Sequence, residues 1–228
     1  NMLDTSILQQ VTEIFRNLEA DYTFRISYAP QREESSQLIE FLNDFASTST
    51  RLSVEKHEAV GDALAFDLLK DGQETGITFR GIPNGHEFTS LLLAVLNADG
   101  KGKNLPDEGI AGRIRSLSGD IRLQTYVSLT CTNCPDVVQT LNIFALLNPG
   151  IRHEMSTGKT EKIELSESNV LSFELADGTK ILVRPSGTEP KIKIYLLTKG
   201  NSLEQCDKKI ATYSEWADSL VKQVKDRS

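Results

Sequence analysis

A strand, a loop, an amphipathic helix and a second strand occur twice in this 228-residue chain, about 100 residues apart. That repetition limits the possible architectures more than any other feature. In the first pass, residues 6–18 place Leu8, Val11, Phe15 and Leu18 at helical spacing. Residues 22–28 alternate and are rich in aromatic and β-branched types, which predicts a strand. Ser35-Ser36 opens a helix with Leu38, Ile39, Phe41, Leu42 and Phe45 on its apolar face. Residues 51–55, 63–69 and 77–81 read as further strands, the last two joined by an Asp71-Gly72 turn, and 86–96 as a closing helix. The second pass has a short helix at 109–117, a strand at 121–129, a helix at 135–147 and a strand at 151–155. Sliding the chain on itself brings Arg51-Leu52-Ser53 near Ile151-Arg152-His153.

The order α, βα, β, ββ, α is that of a thioredoxin-like fold. The chain is therefore expected to be α/β, with a first thioredoxin-like fold over residues 1–101 and the N-terminal half of a second over 102–155. In the first copy the loop 29–35 occupies the place of Cys131–Cys134 and has no cysteine, so that copy is redox-silent. After Met155 a polar, Gly-containing link at 156–161 leads into strands at 170–175, 180–184 and 191–197. Asp177-Gly178 supplies a turn, and Ser202 caps a helix running to about Val224. This β, β, β, α unit is expected to form a third small α+β domain over 156–228.

Composition removes several function classes. A net charge of −7 argues against nucleic acid, whose phosphates need a basic face. No apolar run reaches membrane-spanning length. The start has no basic region followed by an apolar stretch, so no secretory signal is expected. Three cysteines, two in one CxxC, do not make a disulfide framework; they suit a reducing, cytoplasmic setting where a CxxC is catalytic or metal-binding.

The CxxC is Cys131-Thr132-Asn133-Cys134-Pro135, between a predicted strand and a predicted helix. There the positive end of the helix dipole stabilises a thiolate on the exposed first cysteine. Cys131 would be the nucleophile and Cys134 the resolving thiol. Pro135 suits the first helical turn, where its missing N–H costs nothing. Two other readings stay open. Half of a zinc site would need two ligands from Cys206, His57, His86 and His153, none spaced as a second pair. Two inert buried thiols would sit oddly beside the polar Thr130, Thr132 and Asn133. Cys206, without a sequence partner, reads as structural.

Three stretches carry a family resemblance: Gly85-His86-Glu87-Phe88-Thr89-Ser90-Leu91, Ser128-Leu129-Thr130-Cys131-Thr132-Asn133-Cys134-Pro135-Asp136-Val137-Val138-Gln139, and Leu147-Asn148-Pro149. From Met2 to about Met155 the chain resembles the N-terminal domain of the flavoprotein subunit of alkyl hydroperoxide reductase. The resemblance implies two fused thioredoxin folds with one CxxC, passing electrons from the flavoprotein body to a peroxiredoxin subunit. It makes Cys131 and Cys134 that dithiol, and Glu87 an acid of the silent fold that tunes it, able to accept a proton from the buried thiol. On the residues alone, Glu87 is equally a helix-start acid favourable to the dipole. Thr132 stands where the family usually has His, which alters the charge near the thiolate. No GxGxxG follows a strand, so FAD and NADH would belong to domains absent here, and this chain is expected to hold no cofactor or metal.

A second signal is Arg184-Pro185-Ser186-Gly187-Thr188-Glu189-Pro190-Lys191. A Gly-containing turn can aim N–H groups, hydroxyls and a guanidinium at one anion, although a plain hairpin loop with a surface Arg fits equally. With Val170-Leu171-Ser172-Phe173 before it and Lys193-Ile194-Tyr195 after it, the segment 159–228 resembles the C-terminal domain of phosphoglucomutases and phosphomannomutases. That resemblance implies that Arg184, Ser186, Gly187 and Thr188 grip the phosphate of a sugar phosphate. Three functions are thus carried forward: a thiol–disulfide oxidoreductase module, a phosphosugar-binding module, and a chimera of the two without an integrated role. In the chimera, the C-terminal strands either replace those missing from the second thioredoxin fold or pack as a separate bead.

Overall fold

The computed structural model of the chain describes residues 2–103, 105–127, 129, 134–157, 171–175, 180–185 and 192–197. Asp4 starts the first helix, α1 (Thr5–Ile14), by accepting the Ile7 N–H at 2.9 Å, a cap contributing about 1 kcal/mol. Strand β1 (Tyr22–Tyr28) alternates and turns Tyr22, Phe24 and Ile26 into the core. Helix α2 (Glu33–Ala46) begins two residues before the expected Ser35-Ser36. Glu33 and Glu34 suit the positive end of its dipole, and the buried Ser35 hydroxyl donates to the Ala29 carbonyl at 2.7 Å. Three strands follow: β2 (Leu52–Glu58), β3 (Leu64–Lys70) and β4 (Gln73–Arg80). Asp71 (φ 49°) and Gly72 (φ 79°) are both left-handed, which matches the twist of the β3–β4 hairpin. The expected helix at 86–96 is split into a 3-10 turn, Gly85–Glu87, and α3 (Phe88–Ala98).

The second unit comprises α4 (Glu108–Ser116), β5 (Ile121–Val127), α5 (Cys134–Leu147) and β6 (Ile151–Thr157). It continues with β7 (Leu171–Leu175), β8 (Lys180–Pro185) and β9 (Ile192–Leu197). All nine strands form one sheet in the order β2-β1-β3-β4-β6-β5-β7-β8-β9. The first unit runs β2-β1-β3-β4, with β1 and β2 parallel and the next two pairs antiparallel. The second runs β6-β5-β7-β8 with the same directions, and β9 adds antiparallel to β8. Positions three and four of the second unit are thus filled by strands expected to belong to a separate domain. The expectation of an incomplete second fold is corrected here: β7 pairs with β5 from Ile121↔Leu175 to Thr125↔Leu171. Strand β6 also runs across the boundary expected at 155/156. The turn at Asp177-Gly178, Cys206 and the helix from Ser202 lie outside the described residues.

The units meet where β4 pairs in parallel with β6, from Ile77↔His153 to Arg80↔Ser156. Both ends of this seam are glycines with positive φ, Gly76 (85°) and Gly81 (101°). A Cβ on Gly76 would lie 2.7 Å from the Ile151 carbonyl oxygen, and one on Gly81 only 2.0 Å from Thr157 Oγ1. The Arg80–Glu154 ion pair bridges the same join.

On the first unit's core face, Phe45 meets Phe15 and Phe24 edge-on at centroid distances of 5.5 and 5.6 Å, and Phe88 of α3 packs on Phe45 at 5.8 Å. In the second unit, Asn148 explains the Leu147-Asn148-Pro149 stretch. Its Nδ2 donates to the Ile114 and Leu117 carbonyls at 2.9 and 2.8 Å, and its Oδ1 accepts the Gly150 N–H at 2.8 Å. The end of α4 is thereby fastened to the α5–β6 turn. Among the described residues, no helix is long and apolar enough to cross a membrane.

Candidate functional site

Cys134 is the first residue of α5, is 5 % exposed and is disulfide-bonded, its partner lying outside the described residues. Asp136 in the first turn suits the helix dipole, and Val138 and Leu141 bury the helix against the sheet. The first unit reaches this corner. The His86 N–H donates to the Leu129 carbonyl, between β5 and α5, at 3.2 Å. Gly85, at φ 56°, approaches the same carbonyl so closely that a Cβ would sit 3.0 Å from its oxygen. The 3-10 turn that opens α3 is thus pressed onto the loop that leads into Cys134.

Glu87, the last residue of that turn, is completely buried, and neither carboxylate oxygen has a hydrogen-bond partner among the described residues. Burial pushes its carboxyl up to about 7. The Ser90 hydroxyl, near but outside hydrogen-bonding geometry, pulls it back slightly, and Asp136 across on α5 pushes it further up. Ser90 in turn accepts a 3.4 Å contact from Gln139 Nε2 of α5. An acid on one unit and the cysteine-bearing helix of the other therefore share a single buried corner. A carboxyl poised near neutrality there can take and return a proton.

One strand further in lies a polar cluster that sequence reasoning did not single out. His153 of β6 is fully buried. Its Nε2 meets Thr125 Oγ1 of β5, and its Nδ1 meets Asn142 Oδ1 of α5 at 2.7 Å. Burial holds this imidazole down to about 3, so it is neutral. Because Asn142 Oδ1 can only accept, Nδ1 carries the hydrogen and Nε2 accepts from the threonine hydroxyl. The signal in the sequence was His153 at an inward position of the alternation Ile151, His153, Met155.

The other sequence-derived residues fall elsewhere. Cys131 lies outside the described residues. For zinc, His57 is exposed on edge strand β2 beside Glu55, His86 is exposed, and His153 is spoken for in the core. Among the described residues, no group of three His, Cys, Asp or Glu could hold a metal. Of the phosphate-loop residues, Arg184 lies on β8 opposite Lys193, whereas Ser186, Gly187 and Thr188 are outside the described residues.

No family model matches the chain. Over 177 residues, 78 % of this chain and 34 % of the relative, it is 36 % identical to the alkyl hydroperoxide reductase flavoprotein, AhpF, of Staphylococcus epidermidis. It is 37 % identical to an NADH dehydrogenase of Bacillus subtilis over 75 % of this chain and 33 % of that protein. The structure of the NTD_N/C domain of alkylhydroperoxide reductase AhpF from Enterococcus faecalis superposes with a TM-score of 0.66 at 25 % identity, covering 87 % of this chain and 95 % of that one. The likeness is to the N-terminal domain of AhpF. A protein disulfide oxidoreductase from Aeropyrum pernix, at 15 % identity and TM-score 0.66 over 76 % of this chain and 84 % of that one, shares the fold alone. The chain spans about a third of the length of the curated relatives it matches. A match over 78 % of 228 residues is also longer than the stretch 2–155. The AhpF likeness therefore continues past the join that separated the two resemblances, as the pairing of β7 with β5 does in the sheet.

Proposed function

We propose that the chain is a thiol–disulfide electron-relay module, with Cys131 as nucleophile, Cys134 as resolving thiol and Glu87 as proton acceptor. One observation carries the reading. A disulfide-bonded Cys134 heads a buried helix at the corner where a buried, unpartnered Glu87 arrives from the other unit. The AhpF likeness supports the same role, with electrons arriving from a flavin-bearing body reduced by NADH and leaving to a peroxiredoxin.

The chemistry balances as two electrons. Cys131 thiolate attacks the partner's disulfide, forms a mixed disulfide and expels one partner thiolate. Glu87 removes the proton of Cys134, whose sulfur attacks Cys131 Sγ and expels the second thiolate. The chain is left as the Cys131–Cys134 disulfide, and the partner has gained both electrons. The flavin group supplies the electrons that later reopen this bond. This chain's part is to bind the partner, present the two sulfurs and hold the proton.

Thiol counting tests the proposal. Dithiothreitol-reduced protein should lose two free thiols per chain on mild oxidation. Cys134→Ser should accumulate a mixed disulfide with a peroxiredoxin that Cys131→Ser cannot form. Retention of both thiols under oxidant, or equal trapping by the two variants, would sink the relay. Binding of glucose 1-phosphate, abolished by Arg184→Ala, would favour the phosphosugar reading; nothing among the described residues supports it.

A further inference from the structure

We propose that Thr125, His153 and Asn142 are positioning residues that fix the setting of α5 on the sheet and thereby the thiol–disulfide equilibrium of Cys134. The inference rests on the redox role proposed above and goes beyond it to residues remote from the sulfur.

The two units provide an internal control. Strands β1 and β5, strands β2 and β6, and helices α2 and α5 have equal lengths of 7, 7 and 14 residues. Matched position by position, Thr125 corresponds to Ile26, His153 to Val54 and Asn142 to Phe41. In the cysteine-bearing unit the three side chains are 3, 0 and 1 % exposed and form one hydrogen-bonded chain across two strands and a helix. In the silent unit the same places are apolar, with Ile26 and Phe41 equally buried. The fold itself does not ask for polar groups there.

Nor do these groups come free. Asn142 Nδ2 is buried without a partner among the described residues, and a buried amide hydrogen left unpaired is destabilising. A core that accepts this cost in one copy and not in the other implies a task tied to that copy. Directional bonds offer what apolar packing does not: they fix how far α5 is rotated about its own axis. That rotation sets where the free N–H groups of its first turn point, and those groups stabilise a thiolate. Asn142 lies in the third turn of α5 and Cys134 is its first residue, so a turn applied at one is delivered at the other by a rigid rod.

The test uses the full chain equilibrated in glutathione buffers, with the 131–134 peptide quantified by mass spectrometry. First, Thr125→Ile, His153→Val and Asn142→Phe are combined, giving the cysteine-bearing unit the residues of its sibling. This variant should fold, by circular dichroism and thermal melting, yet have its equilibrium displaced at least about tenfold toward the disulfide, about 30 mV. His153→Asn keeps a donor nitrogen near the Nδ1 position and should stay within about threefold of the parent. A folded triple variant with an unchanged equilibrium, or one displaced toward the dithiol, would overturn the inference. So would His153→Asn moving as far as His153→Val alone, and that pair decides the matter if the triple variant does not fold. A parent chain with no reversible couple would sink the redox reading itself, and would show this before any substitution is made.

Discussion

Glu87 is the residue whose behaviour is most tightly specified. Its carboxyl is raised from 4.5 to about 7 by burial, so the folded chain holds a proton that the unfolded chain releases. The penalty is absent below about pH 4.5, grows as pH rises, and is complete above about 7, where it reaches on the order of 3 kcal/mol. Glu87→Gln should therefore melt higher than the parent at pH 8 and close to it at pH 4, in paired thermal scans. In the proposed relay the same substitution should slow the resolving step on the order of 10²-fold at pH 8 and flatten its rise through pH 7 in stopped-flow traces. Asp99 behaves oppositely. Burial pushes it up, yet the Ala20 N–H, Lys101, the Glu19 N–H and the Tyr22 hydroxyl together hold it at about 2. Its contribution is present above about pH 4 and lost as pH falls through 2, so Asp99→Asn should cost on the order of 2 kcal/mol at pH 7 by urea titration and little at pH 2. Neither the Asp99 hub nor the His153 cluster was legible in the sequence. Which polar side chains end up enclosed depends on contacts between residues far apart, as with Asp99 and Ala20, and no local spacing encodes it. Glu87 drew notice through resemblance, since the residues alone offered a helix-start acid.

Among the elements, the seam strand β4 is the most sensitive to a single methyl group. Gly72 and Gly76 share nearly the same φ, 79° and 85°, but Gly72 has open space around it and Gly76 has the Ile151 carbonyl 2.7 Å from its would-be Cβ. Gly72→Ala should cost about 1–2 kcal/mol, the strain of a left-handed alanine alone. Gly76→Ala should cost clearly more, because backbone and not a flexible side chain has to move; chemical denaturation of the two variants side by side measures the difference. The elements themselves were largely readable. Alternation marked 22–28 to the residue, and the helical stripe from Val137 to Leu147 anticipated α5. The strands at 171–175, 180–185 and 192–197 were also anticipated, but their neighbours were not. Strand pairing is a long-range choice, and a locally self-consistent β, β, β pattern looks the same whether it closes its own sheet or another's.

Across the whole molecule, nine strands in one sheet and a crowded four-pair seam couple the two units. Unfolding should therefore be cooperative: far-UV circular dichroism and amide exchange at β1 and β5 should report the same midpoint in urea. Two separated midpoints would show that the seam is weaker than the units it joins. Duplication was legible at this scale because two copies of one pattern need only a ruler to find, whereas the parallel join between β4 and β6 leaves no periodic trace. That join has a mechanical implication. The acid stands on one body and the sulfur on its neighbour, so a small flex of the hinge line between them would stretch the gap between proton donor and acceptor while each half stayed intact. Stiffness at a line of backbone hydrogen bonds, and not only chemistry at the tip of a helix, would then govern how fast charge moves through this protein.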